Sequence, residues 1–125
     1  MSSASLALRL SCDTVRTRTS AAGPDGPISA IYAGVGISFT SPVRIFHIQN
    51  LTDTILMFSY DGINDHFPLA TQSFLVLDIT ANQAHTQGFF MAQGQRLYVR
   101  NMVAEGQNPP TIGAVYLACY VGRTS

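Results

Sequence analysis

Hydrophobic and polar residues along most of this chain alternate with a period of two. In PVRIFHIQN (42–50), Val43, Ile45 and His47 take one side and Arg44, Phe46 and Ile48 the other, with Pro42 at the start, where a strand tolerates a missing N–H. The spacing predicts a strand covered on both faces. TILMFSY (54–60), SFLVLDIT (73–80) and RLYVRNM (96–102) are short, rich in branched and aromatic residues, and bounded by turn formers, as strands are. In AVYLACYV (114–121), Val115, Leu117 and Cys119 fall on one face and Tyr116, Ala118 and Tyr120 on the other. Neither face is polar, so this strand too is expected to be buried twice. ASLALRL (4–10), ISAIY (28–32) and GISF (36–39) bring the count to about eight strands, at the roughly 8- to 12-residue spacing of sandwiches.

Between the strands lie DTVRTRTS (13–20), AAGPDGP (21–27), ANQAHTQG (81–88) and EGQNPPTIG (105–113), all rich in turn formers. No segment carries an apolar stripe at i, i+3, i+4, i+7 over three turns, so any helix is expected to be a single turn. These features predict one all-β domain over residues 1–125, an antiparallel β-sandwich. Long Gly, Pro and Asn connections favour a jelly-roll-like arrangement over an up-and-down barrel, where tight hairpins would dominate. The segment 14–27 has almost nothing to bury and reads as a mobile loop or arm.

Composition changes the picture in one respect. Hydrophobic residues make up 46% of the 125, but charged residues only 11%, where soluble domains average about 25%. There are seven arginines, no lysine, one glutamate (Glu105) and twelve aromatics. That is the pattern of a contact surface, which is depleted in Lys, Glu and Asp and enriched in Arg and aromatics. Zero net charge and a pI near 6.8 provide no field to draw the chain onto nucleic acid or an anionic membrane, so neither is expected as a partner. No apolar run reaches the roughly 18 residues of a membrane helix, and SSASLALRL is too short and too alternating for a signal peptide. A cytosolic origin is the expectation. Cys12 and Cys119 lack the companions of a zinc site and read as small buried hydrophobes that would meet as a disulfide only if the terminal strands were neighbours.

The densest polar stretch is SYDGINDHFPLA (59–70). Asp61-Gly62 after an apolar strand is a strong turn signal, because Gly supplies positive φ and Asp tolerates it. The spacing fails the calcium-loop pattern, no G-x-S-x-G marks a nucleophile, and no two of Asp53, Asp61, Asp65 and Asp78 are marked as a facing carboxylate pair. His47, His66 and His85 show neither HxH nor HxxxH. The glycines of YAGVGISF (32–39) lack the third glycine and the βαβ context of a nucleotide fingerprint. Asp61, Gly62, Asp65 and His66 are therefore read as a structural turn, with no catalytic residue, metal or cofactor expected.

The run ILMFSYDGINDHFPLATQSFLVLDITANQ, with QGFFMAQGQRLYVRN and the closing GAVYLACYVG, resembles small virion structural proteins encoded near the head genes of tailed bacteriophages. In such proteins an S-x-DG-x-x-DHF turn leads into an apolar strand ending in Asp, then a G-x-x-(L/V)-Y-V-R strand and an aromatic C-terminal strand. Here these fall on Ser59, Asp61, Gly62, Asp65, His66 and Phe67, on Asp78, and on Gly94, Leu97, Tyr98, Val99 and Arg100. The likeness covers residues 44–121, about two thirds of the chain. It implies a capsid cement or decoration protein, made in the host bacterial cytoplasm and carried on the capsid surface, partnered by the major capsid protein and by itself as a dimer or trimer. A head-tail connector or tail component is the nearest alternative. A soluble jelly-roll module binding a sugar through Asp61, Asn64 and Asp65 is a third. For the first, Arg44, Arg96 and Arg100 would serve as planar donors and Tyr32, Tyr98, Tyr116 and Tyr120 as anchors, with Arg16 and Arg18 on an arm that orders on a neighbour.

Overall fold

A computed structural model of the chain describes residues 8–12, 14–20, 27–41, 43–78 and 94–124. Among them nine strands form two antiparallel sheets: β1 (Leu8–Cys12), β2 (Arg16–Thr19), β3 (Ala33–Gly34), β4 (Val43–Asn50), β5 (Leu56–Ser59), β6 (Phe67–Leu69), β7 (Ser73–Asp78), β8 (Tyr98–Asn101) and β9 (Ala114–Thr124). The first sheet runs β1-β9-β4-β7, with β2 also on β9; the second runs β3-β8-β5-β6. The only helical element among the described residues is a 3-10 turn, Val103–Glu105.

β1 and β2 are one edge strand interrupted by a bulge. Cys12 lies opposite Tyr120 and Arg16 opposite Leu117, so four steps on the edge span three on β9. Counted as one, they leave eight strands that pair first with last, second with seventh, third with sixth and fourth with fifth. The two sheets pack face to face as a β-sandwich. Phe46 and Ile48 of β4 and Val115, Leu117 and Cys119 of β9 meet Leu56, Phe58 and Val99 of the second sheet, all without solvent exposure. Phe58 stacks on Phe67 at 5.2 Å, and Phe46 meets Tyr60 edge-on at 6.4 Å.

The sandwich departs from the sequence expectations at identifiable points. A bulge between Val43 and Ile45 shifts the phase of β4, so Val43, Phe46, Ile48 and Asn50 face the core and His47 and Gln49 face outward. β9 is buried once, not twice: Val115, Leu117, Cys119 and Val121 point inward, while Tyr116 on the other face is 39% exposed. Cys12 is exposed and Cys119 buried, and they form no disulfide. Their strands are neighbours, but Cys12 pairs with Tyr120, which puts the two thiols on opposite faces. Residues 16–19 form a strand where a mobile arm was expected, and 21–26 lie outside the described residues. ISAIY and GISF are not strands: only Ala33–Gly34 pairs with β8, and Ile28 and Phe39 fill the core from irregular backbone. β6 was missed because Pro68 disguises it; as a sheet edge it tolerates a residue without an N–H.

Polar groups tie one end of the sandwich. Fully buried Asn50 donates from Nδ2 to the carbonyls of Thr54 (2.9 Å) and Leu69 (2.8 Å), and its Oδ1 accepts from the N–H (3.0 Å) and Oγ1 (2.6 Å) of Thr52. The amide's bonding capacity is used in full. Replacing Asn50 with Ala removes four buried hydrogen bonds, leaving Thr52 Oγ1 and Thr54 O only their mutual contact at 3.1 Å, and is expected to lower the unfolding free energy by about 2–5 kcal/mol in urea titrations. A loss below about 0.5 kcal/mol, the scale of an ordinary surface substitution, would mean that the amide is not a structural tie.

Candidate functional site

The 59–66 loop between β5 and β6 is built around Asp61. Its Oδ1 accepts from Ser59 Oγ and the backbone N–H groups of Ile63 and Asn64, each at 2.8 Å, and Oδ2 accepts from Asn64 Nδ2. The two backbone donors lead these bonds in holding the carboxyl far below the usual range. Gly62 sits at φ +76°, and a Cβ there would lie 3.3 Å from the Tyr98 ring. His66 closes the loop: its N–H donates to Phe58 O and its Nδ1 accepts from the Tyr60 N–H, both at 3.0 Å. Both oxygens of Asp61, Nδ2 of Asn64 and Nδ1 of His66 are thus spent on the turn itself.

Beside this loop, Arg100 gathers two carboxylates. It donates to both oxygens of Asp65 (2.9 and 3.3 Å) and both of Glu105 (2.8 and 3.1 Å), and lies 5.6 Å over the Tyr32 ring. Tyr32 donates to Asp65. Arg100 holds the Asp65 and Glu105 carboxyls below their usual range, while burial, then the bond to Asp65, pushes the Tyr32 hydroxyl up to about 12. The Arg100 guanidinium is raised in turn, first by Glu105. The cluster ties three chain segments together and leaves no carboxylate poised for acid–base chemistry. Among the described residues, no three His, Cys, Asp or Glu side chains come together as a metal set.

Three further arginines converge on the backbone of residues 34–38. Arg18 Nη1 donates to Gly34 O (3.0 Å), Arg96 Nη2 to Gly36 O, and Arg16 Nε and Nη2 to Ile37 O (2.8 Å) and Ser38 O (2.9 Å). Arg16 is only 1% exposed and lies over Phe39 at 5.2 Å. It points inward because its opposite residue, Leu117, does. The expected arm residue is therefore an internal clamp. Alternating Thr17 and Thr19 were the available strand signal, masked by the charge of their neighbours.

Of the anchors expected from sequence, Tyr116 is well exposed, whereas Arg18, Tyr32, Arg44, Arg96, Tyr98, Arg100 and Tyr120 are half-buried. Tyr116 stands on the outer face of the first sheet. Strand registers place Thr17, Tyr116, Gln49 and Phe74 in one cross-strand row and Ala118, His47 and Val76 in the next. Phe74 is 63% and Val76 51% exposed, and His47 meets the Phe74 ring edge-on at 5.4 Å. Neither row contains Asp, Glu, Lys or Arg. Phe74 and Val76 went unnoticed in sequence because SFLVLD is apolar at both parities, and only the sheet order shows which parity faces out.

Comparison with known proteins returns no matching family model, no matching curated protein and no matching solved structure.

The Arg100 cluster makes a pH-dependent contribution whose sign follows from the lowered carboxyls. Its stabilisation is complete above the unfolded carboxylate range, about pH 4, and is lost as pH falls through the lower folded values. Arg100→Gln is expected to flatten the fall in urea midpoint between about pH 5 and pH 2. An acid profile parallel to that of the wild type would show that the cluster carries no linked stability.

Proposed function

We propose that this chain is a non-enzymatic virion structural protein, a capsid cement or decoration protein that binds between major capsid protein subunits and stabilises a phage head. The observation that carries this reading is the outer face of the first sheet, where Phe74, Val76 and Tyr116 stand exposed in rows without formal charge. A rigid sheet is a flat platform, and an uncharged apolar face with an aromatic anchor suits adhesion to another protein surface. The composition supports the same reading, with charge scarce and much of what exists spent internally. So does the likeness of residues 44–121 to phage virion proteins.

The strand order supports the jelly-roll form of the sandwich. Pairing first with last, second with seventh, third with sixth and fourth with fifth is the pattern of one long hairpin wrapped into two four-stranded sheets. A sugar site on Asp61, Asn64 and Asp65 is disfavoured, since Asp61 is filled by its own turn and Asp65 by Arg100 and Tyr32.

The test is the copy number of this chain in purified particles, followed by re-addition to shells that lack it. A simple fraction of the shell-protein count, together with a higher shell disruption temperature on re-addition, is expected for a cement protein. A handful of copies would assign it to the connector or tail, and absence from particles would sink both. Tyr116→Ala is expected to weaken shell binding roughly tenfold, the loss of one interfacial anchor.

A further inference from the structure

Two sheets present four edges, and three of them are blunted. The β1–β2 edge is broken by its bulge. β3 is two residues long, and the loop after it is gripped by arginines. β6 is three residues long with Pro68 at its centre. Bulges, prolines and shortness are the devices by which natural sheets stop another strand from adding. β7 has none of them. Ser73–Asp78 is six residues without Pro, Gly or Lys, and among the described residues it pairs only with β4.

The backbone groups on that open edge can be assigned. The Leu51 N–H donates to Ala114 O at 3.0 Å, continuing the β4–β9 register, so odd-numbered residues of β4 direct their backbone groups at β9 and even-numbered ones at β7. Ile48 lies opposite Leu75 and Phe46 opposite Leu77, so Leu75 and Leu77 bond β4. Phe74 and Val76 turn their N–H and C=O groups to the open edge. Their side chains are also exposed, at 63% and 51%.

We propose that β7 is a self-association strand, with two copies of this chain adding β7 to β7 antiparallel about a two-fold axis centred on Leu75. Directly opposed residues in an antiparallel pair share a face, so an axis passing between two residues is excluded because it would set outward Phe74 or Val76 against inward leucines. An axis on Val76 would set Phe74 against Asp78. An axis on Leu75 sets Phe74 against Val76 of the second copy, and does so twice. These are aromatic against branched pairs, a favourable cross-strand combination, and their N–H and C=O groups bond reciprocally. The contact is isologous and closes at two copies. It joins the two first sheets into one continuous sheet and doubles the outer face that carries Phe74, Val76 and Tyr116. The proposal stands independently of the virion reading, since it uses only the edges.

Light scattering on the purified chain tests it. The wild type is expected at twice the 13.5 kDa chain mass. Val76→Lys, which places a charge at the junction, and Val76→Pro, which removes an N–H from the open edge and none from the β4 ladder, are expected at the monomer mass with wild-type circular dichroism. In a Cys12→Ser background, Phe74→Cys protein mixed with Val76→Cys protein is expected to form a mixed disulfide dimer on mild oxidation. A monomeric wild type at all concentrations, a trimer or larger ring, or a dimer that survives both Val76 substitutions would overturn the proposal. Self-linking of Val76→Cys alone in preference to the mixed pair would overturn the Leu75 axis.

Discussion

The arrangement of the sandwich depends on one buried amide. Asn50 ends β4 in the first sheet, and its side chain reaches the carbonyls of Thr54 before β5 and Leu69 in β6, both belonging to the second sheet. An amide with no access to water is tolerated only when its donors and acceptor are all engaged, so this position admits very few conformations of its surroundings. The consequence spreads through the turn it holds. Thr52 O accepts from Thr71 Oγ1 where the chain returns to the first sheet, and Asp53 receives the N–H of Thr111 on the approach to β9. Leu51 then bonds Ala114, setting the β4–β9 register. Three connections thus meet at residues 51–53, the turn that this side chain braces. Apolar burial supplies the drive to bring the sheets together, but it is non-directional and would not by itself choose this alignment.

The same economy governs the charges. A chain with seven arginines and seven acids has enough charge for a modest soluble surface, yet Arg16, Arg18 and Arg96 are turned onto backbone carbonyls, and Arg100 is shared by two carboxylates. A planar guanidinium suits this work because it offers several donors in a fixed fork, which a lysine could not. Arg16 shows how far this goes. Buried at the sandwich edge, it links β2 of one sheet to the loop following β3 of the other, doing in charged form what Asn50 does in neutral form. The outer face of the first sheet is left with almost no charge of its own.

Period-two patterning made the long central strands β4 and β9 legible in sequence, and the short apolar run of β7 stood out by its branched and aromatic residues. The DG turn was equally plain, since Gly62 and Asp61 do locally what their residue types do best. What was illegible shares one cause: it depends on the partner and not on the segment. Arg16–Thr19 looks like a solvated arm until Leu117 lies opposite and three carbonyls surround the guanidinium. Phe67–Leu69 looks like a loop until it is seen at an edge, where Pro68 costs nothing. The phase of β4 turns on a bulge that no residue type announces. The same ignorance of neighbours made β9 look doubly buried, although one of its faces lies open, and it hid Phe74 and Val76, whose exposure follows from sheet order alone.

These facts converge on the surface. Sheets that meet no partner usually carry charge on the open face and obstruction on each edge, since an apolar face or a free edge invites unwanted pairing. Here obstruction is present on three edges, so the chain is not indifferent to the hazard. Among the described residues it is missing on the fourth, and the strand concerned also contributes Phe74 and Val76, the most exposed large hydrophobics of the outer face. Protection absent, among the described residues, at one edge and one adjoining face of a chain that protects itself elsewhere is the physical ground for the β7 pairing proposed above. The polar groups that look like chemistry in the sequence, Asp61, Asp65, His66 and Arg100, belong instead to the second sheet, where they hold the β5–β6 loop and tie it to Tyr32 and Glu105.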